Sequence, residues 1–123
     1  MLENSSIDTM TIEDMTARIR EFRDARDWNQ FHNPKELAAA LAIEAAELQE
    51  IFLWKDYQAS NAAVEEKNEA LRDEIADIAM YLFELADNLG IDLLEAMAAK
   101  MEKNAAKYPV EKAKGSNRKY TEL

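Results

Sequence analysis

Ile12, Met15, Ile19 and Phe22 recur at spacings of three, four and three, so they share one face of a helix. Thr11 and Asp14 stand as N-cap and N3, a capping box with Asp in place of Glu. Arg23 and Arg26 close this first helix, where cations suit its dipole. A loop follows, Asp27-Trp28-Asn29-Gln30-Phe31-His32. Asn33 is a good N-cap, Pro34 fits N1 and Glu36 sits at N3, so a second helix is predicted from there to about Lys55. The polar stretch 56–62 reads as a loop. A third helix is predicted over about 63–89, with Gly90 as its C′ residue and Ile91 as the apolar partner of a Schellman motif. Asp92 and Glu95 form the next cap pair, and a fourth helix runs to about Lys107, where Pro109 stops it.

The third helix is apolar on nearly every side, from Ile75 through Ala86. Such a helix is either central or part of a subunit interface, so a homo-oligomer is expected. The fold class is all-α: a four-helix bundle that assembles into a dimer or a dimer-of-dimers tetramer. Residues 1–10 lack periodicity and read as a flexible arm. Residues 11–108 make the helical domain. Residues 109–123, with Lys112, Lys114, Arg118 and Lys119, make a locally basic tail.

Composition sharpens this picture. Only 2 Gly and 2 Pro occur in 123 residues, too few for the turns of a sheet protein. Cys is absent and His occurs once, which excludes disulfides, thiolate chemistry and any site needing two imidazoles. The net charge is −10, which argues against a nucleic-acid polymer or an anionic membrane as partner. No apolar run approaches the roughly 18 residues of a membrane span, and no secretory signal is visible. A cytoplasmic protein is the expectation. An anionic small molecule stays possible if cations mediate the contact.

Acidic pairs three apart are common here: 21/24, 24/27, 44/47, 47/50, 66/69, 74/77, 84/87 and 92/95. Position on the helix therefore carries more than spacing. Leu37, Leu41, Leu48 and Ile51 form the apolar stripe of the second helix, and Glu44 falls in its middle. Glu47 lies one turn on, in line with Ala40 and Trp54. On the third helix, Glu74 and Asp77 lie beside the stripe Leu71, Ile75, Ile78, Leu82 and Leu85, in line with Tyr81. An unpaired buried carboxylate costs several kcal/mol, and residues 36–54 contain no Lys or Arg. Two remedies fit. One is ion pairing with bases of the first and fourth helices or with Arg72. The other is an all-oxygen cage for a hard divalent ion, Mg²⁺ or Mn²⁺. The pairs 66/69, 84/87 and 92/95 read as solvated faces or caps.

The pattern E-x-x-E on one helix and E-x-x-D on the next resembles the MazG-like nucleotide pyrophosphohydrolases, of the all-α NTP pyrophosphatase group. The resemblance extends over about residues 12–123. It includes Arg26-Asp27-Trp28-Asn29-Gln30-Phe31-His32, Phe52-Leu53-Trp54-Lys55, Lys100-Met101-Glu102-Lys103-Asn104, Lys107-Tyr108-Pro109 and the tail Arg118-Lys119-Tyr120-Thr121-Glu122-Leu123, and is fullest with the subgroup acting on dCTP. It implies Mg²⁺-dependent cleavage of a nucleoside triphosphate between the α- and β-phosphates, giving monophosphate and pyrophosphate. Glu44, Glu47, Glu74 and Asp77 match the family's metal-binding carboxylates. Lys100 and Asn104 match positions near the triphosphate, and Trp28, His32, Trp54 and Tyr81 match positions around the nucleoside. It implies a tetramer with sites shared between chains. The animal members carry a base-recognising His nine residues before the first Trp. Here that residue is Ile19, which leaves the preferred base open.

The residues agree with that chemistry. Phosphoryl transfer needs charge neutralisation and alignment more than a covalent partner, and metal held in an acidic cage inverts the local sign. One carboxylate, with Glu47 as the candidate, serves as base. Lys100 and the basic tail are candidates to face the outer phosphates. Asn104, on the apolar stripe of the fourth helix with Leu94, Met97, Met101 and Tyr108, is expected to point inward. Two other readings stay open: a non-catalytic helical oligomerisation or interaction module, and a superfamily member acting on dATP, dUTP or a modified base.

Overall fold

The computed structural model describes residues 6–123. The expected arm spans residues 1–10, of which 1–5 lie outside the described residues. Six α-helices follow in order: α1 Ile12–Ala25, α2 Pro34–Glu50, α3 Tyr57–Glu66, α4 Asn68–Asn88, α5 Leu93–Lys107 and α6 Val110–Ala113. Short 3₁₀ turns occupy Ile7–Thr9, Asn29–Phe31 and Tyr120–Glu122. No strand occurs among the described residues.

The helix starts obey their caps. At α1 the Thr11 hydroxyl accepts from Asp14 N–H (3.1 Å) and the Asp14 carboxylate accepts from Thr11 N–H (3.0 Å), so Asp closes the capping box as well as Glu does. Asn33 accepts from Glu36 N–H at 3.0 Å ahead of Pro34, and Asp92 accepts from Glu95 N–H at 3.0 Å. Gly90 takes a left-handed φ of 68° just past α4, with its N–H donating to the Asp87 carbonyl (3.1 Å).

Three boundaries differ from expectation. The second helix stops at Glu50 rather than near Lys55, because the chain tightens into i→i−3 bonds from Ile51 onward and Trp54 turns to φ 62°. The stretch 56–62 is helical rather than a loop: Asp56 caps Ala59 N–H at 2.8 Å and starts α3. Its polarity marks a solvated helix whose inner contact is Ala63, 1% exposed. The third helix begins at Asn68, since Lys67 leaves helical geometry (φ −111°, ψ 25°) and separates α3 from α4. Among the described residues, six helices thus replace the expected four. The stretch after Pro109, expected only as a tail, holds α6 and a terminal turn in which Tyr120 meets Tyr108 edge-on at 6.0 Å, under Lys107 Nζ at 4.8 Å.

The chain divides into two compact units, one ending at Gly90 and the other Ile91–Leu123. In the first, α4 packs against α1, α2 and α3, the central place its all-round apolarity requires. Among the described residues, the buried apolar side chains are Leu37, Ala63, Leu71 and Ala86, all in that unit. The second unit is built on α5, where Leu94, Met97 and Met101 are exposed. No helix of the structure is long and apolar enough to cross a membrane.

Candidate active site

The packing of α2 against α4 brings Glu44, Glu74 and Asp77 together. One carboxylate oxygen from each lies within 4.8 Å of the others. All three side chains are half-buried, and Glu44 Oε2 and Glu74 Oε2 are buried without a hydrogen-bond partner. No Lys, Arg or His of residues 6–90 forms an ion pair with them. Arg72 instead donates to Asn68 Oδ1 at 2.9 Å, so within this unit the ion-pair alternative is not realised. The Glu74 carboxyl beside it and then burial push Glu44 above the ordinary carboxylate range, with Glu47 acting in the opposite direction. Orphaned buried oxygens on clustered acids are what a hard divalent cation satisfies, so this donor set fits one.

A cavity of about 420 Å³ opens beside the cluster, a size suited to a small molecule. Glu44 and Asp77 contribute to one part of its wall. Phe22, Trp28, His32, Met80, Tyr81 and Ile19 supply apolar and aromatic surface. Trp28 packs edge-on against Phe22 (5.9 Å between centroids) and lies against His32 (6.0 Å, 36° tilt). Burial, then the nearby carboxylates of Glu44, Asp77 and Glu84, raise the Tyr81 hydroxyl above its ordinary range, so it stays a hydrogen-bond donor.

Trp28 is aimed by the helix stop expected after Arg26, which is made without a Gly. Asp27 takes the left-handed conformation, φ 56°. Its N–H donates to the Asp24 carbonyl (3.0 Å) and the Trp28 N–H to the Arg23 carbonyl (3.1 Å), a complete Schellman motif with Asp where Gly is usual. Arg26 completes the end, with Nη1 donating to the Phe22 carbonyl at 2.9 Å.

Glu84 and Asp87 correct an expectation. They read as a solvated pair, yet Glu84 is 3% exposed. It bonds His32 Nδ1 at 2.7 Å and faces Arg23 Nη1 at 3.6 Å. Asp87 pairs with Arg20 at 2.9 Å. The signal was available: Glu74, Asp77, Tyr81 and Glu84 follow at three, four and three, one line along α4. Arg23, 8% exposed, extends the face of α1 by the same rule.

Of the residues singled out from sequence, Trp28, His32, Glu44, Asp77 and Tyr81 line the cavity, and Glu74 completes the carboxylate cluster. Glu47 is exposed and outside the three-oxygen group. Trp54 is 94% exposed and does not line the cavity. Lys100 and Asn104 sit on exposed positions of α5, in the second unit; the face expected to turn Asn104 inward has no cover from its own unit.

Comparison with known proteins places the chain in a family. A model of the MazG-like family matches residues 39–123. Curated relatives called dCTP pyrophosphatase 1 are 41% identical in Bos taurus and 40% in Homo sapiens, each over 115 residues, 92% of this chain and 68% of the relative. The crystal structure of a pyrophosphatase from Archaeoglobus fulgidus superposes with a TM-score of 0.76 at 42% identity, covering 80% of this chain and 92% of that one. With family pattern, enzyme relatives and fold in agreement, the chain belongs to the MazG-like family of nucleotide pyrophosphatases.

Proposed function

We propose that the protein is a Mg²⁺-dependent nucleoside triphosphate pyrophosphohydrolase. It cleaves between the α- and β-phosphates of dCTP or a related deoxynucleotide and keeps the cytoplasmic nucleotide pool clean. The observation that carries this reading is the convergence of Glu44, Glu74 and Asp77, with two orphaned buried oxygens, beside an aromatic-walled cavity.

Glu44, Glu74 and Asp77 would hold the cation. A bound divalent ion supplies the positive charge a triphosphate requires and lowers the pKa of water. The chain's own residues do the rest. Trp28 offers a face on which a base stacks, worth about 1–3 kcal/mol. The wall of Phe22, Met80 and Ile19 excludes solvent around it. Glu47, exposed one turn beyond Glu44, is the candidate base: water adds to the α-phosphorus, the bond to the bridging oxygen breaks, pyrophosphate leaves, and the water's proton passes to the Glu47 carboxylate. Lys100 and Asn104 serve the outer phosphates. Trp54, exposed on its turn, serves the nucleoside of a neighbouring subunit in a tetramer.

The test is an incubation of purified protein with Mg²⁺ and each common NTP and dNTP, separating the products. Monophosphate with pyrophosphate from one or a few deoxynucleotides is expected. Diphosphate with phosphate would overturn the bond assignment. The exposed apolar residues of α4 and α5 keep one rival in view, a non-catalytic oligomerisation module. That rival predicts no turnover and a melting temperature indifferent to Mg²⁺.

A further inference from the structure

His32 is held more firmly than a cavity-wall residue needs to be. Its ring bonds the Glu84 carboxylate through Nδ1 at 2.7 Å, its carbonyl accepts from Asn88 Nδ2 at 3.2 Å, and its face lies against Trp28. Glu84 is itself fixed, almost wholly buried on α4 with Arg23 Nη1 3.6 Å from the same Oε2. A carboxylate can only accept, so Nδ1 must carry the proton. In the neutral ring the other nitrogen, Nε2, is then an acceptor. Within residues 6–90 Nε2 has no hydrogen-bond partner, although His32 lines the cavity. Seven residues of α4 separate Asp77 from Glu84, about 10.5 Å along the helix axis. A ligand whose phosphates meet the carboxylates therefore has its base, not its phosphates, near His32.

We propose that Glu84, braced by Arg23, is a positioning residue that locks His32 as the Nδ1–H tautomer, so that the cavity selects a base bearing an exocyclic amino group over its oxo analogue. The inference rests on the nucleotide reading above and deepens it. An amino group donates to Nε2, whereas an oxo group meets an acceptor with an acceptor. Selection of this kind works by leaving the wrong partner unpaired.

His32 is the chain's single histidine, so its ring nitrogens give one ¹⁵N signature. At about pH 9, well above the ordinary imidazole range, the wild-type protein is expected to show the Nδ1–H tautomer. Titrations followed on those signals should show dCMP binding at least about tenfold more tightly than dUMP. Both probes are monophosphates, so the measurement needs neither metal nor turnover. Glu84→Gln keeps the volume but can donate as well as accept. It should shift the tautomer population toward Nε2–H and bring the dCMP to dUMP ratio near one, with helical content kept. A merely structural Glu84 would weaken both ligands equally and leave the ratio unchanged. A wild-type Nε2–H tautomer, equal binding of the two nucleotides, or an unchanged ratio in the variant would each overturn the inference. The wild-type measurements decide it even if the variant does not fold. Failure of every triphosphate to turn over would instead fall on the proposed function.

Discussion

Glu44 occupies a place where the helix pattern asks for a leucine, and its neighbours across the groove are two more acids. Its carboxyl is pushed above the ordinary value of 4.5, which fixes the sign of a stability effect. A raised acid favours the folded state below its unfolded value, and that contribution is lost as pH rises through the raised folded value. In cation-free buffer the protein should therefore lose stability from about pH 4.5 upward, and Glu44→Gln should flatten that slope and melt higher than wild type at neutral pH. Mg²⁺ reverses the order. At about 100 times its Kd a cation bound only to the native state adds about 2.7 kcal/mol, several degrees in a domain of this size, and the variant should lose most of that gain. Melting curves at two pH values, with chelator and with Mg²⁺, check all four quadrants; a variant that still gains stability from Mg²⁺ would remove Glu44 from the cation site. At this scale the sequence was legible where a residue broke a pattern. Glu44 and Asp77 interrupt apolar runs and are found in the cluster. Glu84 was missed because an acid near a helix end has a cheap explanation as a cap. Its burial follows from Arg23 and His32, which lie 61 and 52 positions away.

Helix termini show the same contrast. At Thr11, Asn33 and Asp92 the residues foretold the cap, because donor and acceptor sit three positions apart and no tertiary contact is needed. The breaks at Trp54 and Lys67 have no such local marker. Neither is Gly or Pro, and the polar stretch 56–62 has the composition of a loop until Asp56 is seen to cap it. The end of α1 is the informative case. Asp27 holds a left-handed backbone that an ordinary L-residue enters at a cost of about 1–2 kcal/mol. Asp27→Gly should remove that strain while losing only the exposed bond from Gln30 Nε2 to Oδ2 at 3.2 Å. A gain of about 0.5–1 kcal/mol in chemical unfolding is expected, with Trp28 still aimed at the cavity; a loss would mean the carboxylate, not the backbone, holds this turn. Leu37 anchors α2 in the core. It is 1% exposed on α2, one turn from Leu41 and two from Glu44. Leu37→Ala should cost about 2–5 kcal/mol and weaken Mg²⁺ stabilisation as well, since α2 carries Glu44.

For the whole molecule, the bundle-forming character of the chain was plain from its helical periodicity, while the expectation of a partner subunit rested only on an apolar surplus on the third predicted helix. The structure makes that surplus specific. Among the described residues, large apolar side chains stand open on α2 (Ile43, 59% exposed) and α4 (Ile75, 56%; Leu82, 40%), whereas only Leu37, Ala63, Leu71 and Ala86 count as buried apolar core. So short an inventory is marginal against the conformational entropy of the ordered helices. Covering Ile75 and Leu82 with a second copy adds about 1.5–3 kcal/mol for each large side chain fully buried. Stability should then be linked to association: the melting temperature rises with protein concentration, because mass action favours the assembled state. Light scattering should give a mass above one chain. Ile75→Glu places a charge on that face, so it should lower the mass to that of a single chain and abolish the concentration dependence. If Trp54 works in a neighbour's site, it should also lower turnover while leaving Mg²⁺ stabilisation in place, because Glu44, Glu74 and Asp77 come from one chain. A single-chain mass and a melting temperature independent of concentration in the wild type would separate the apolar face from assembly and return Trp54 to its own chain.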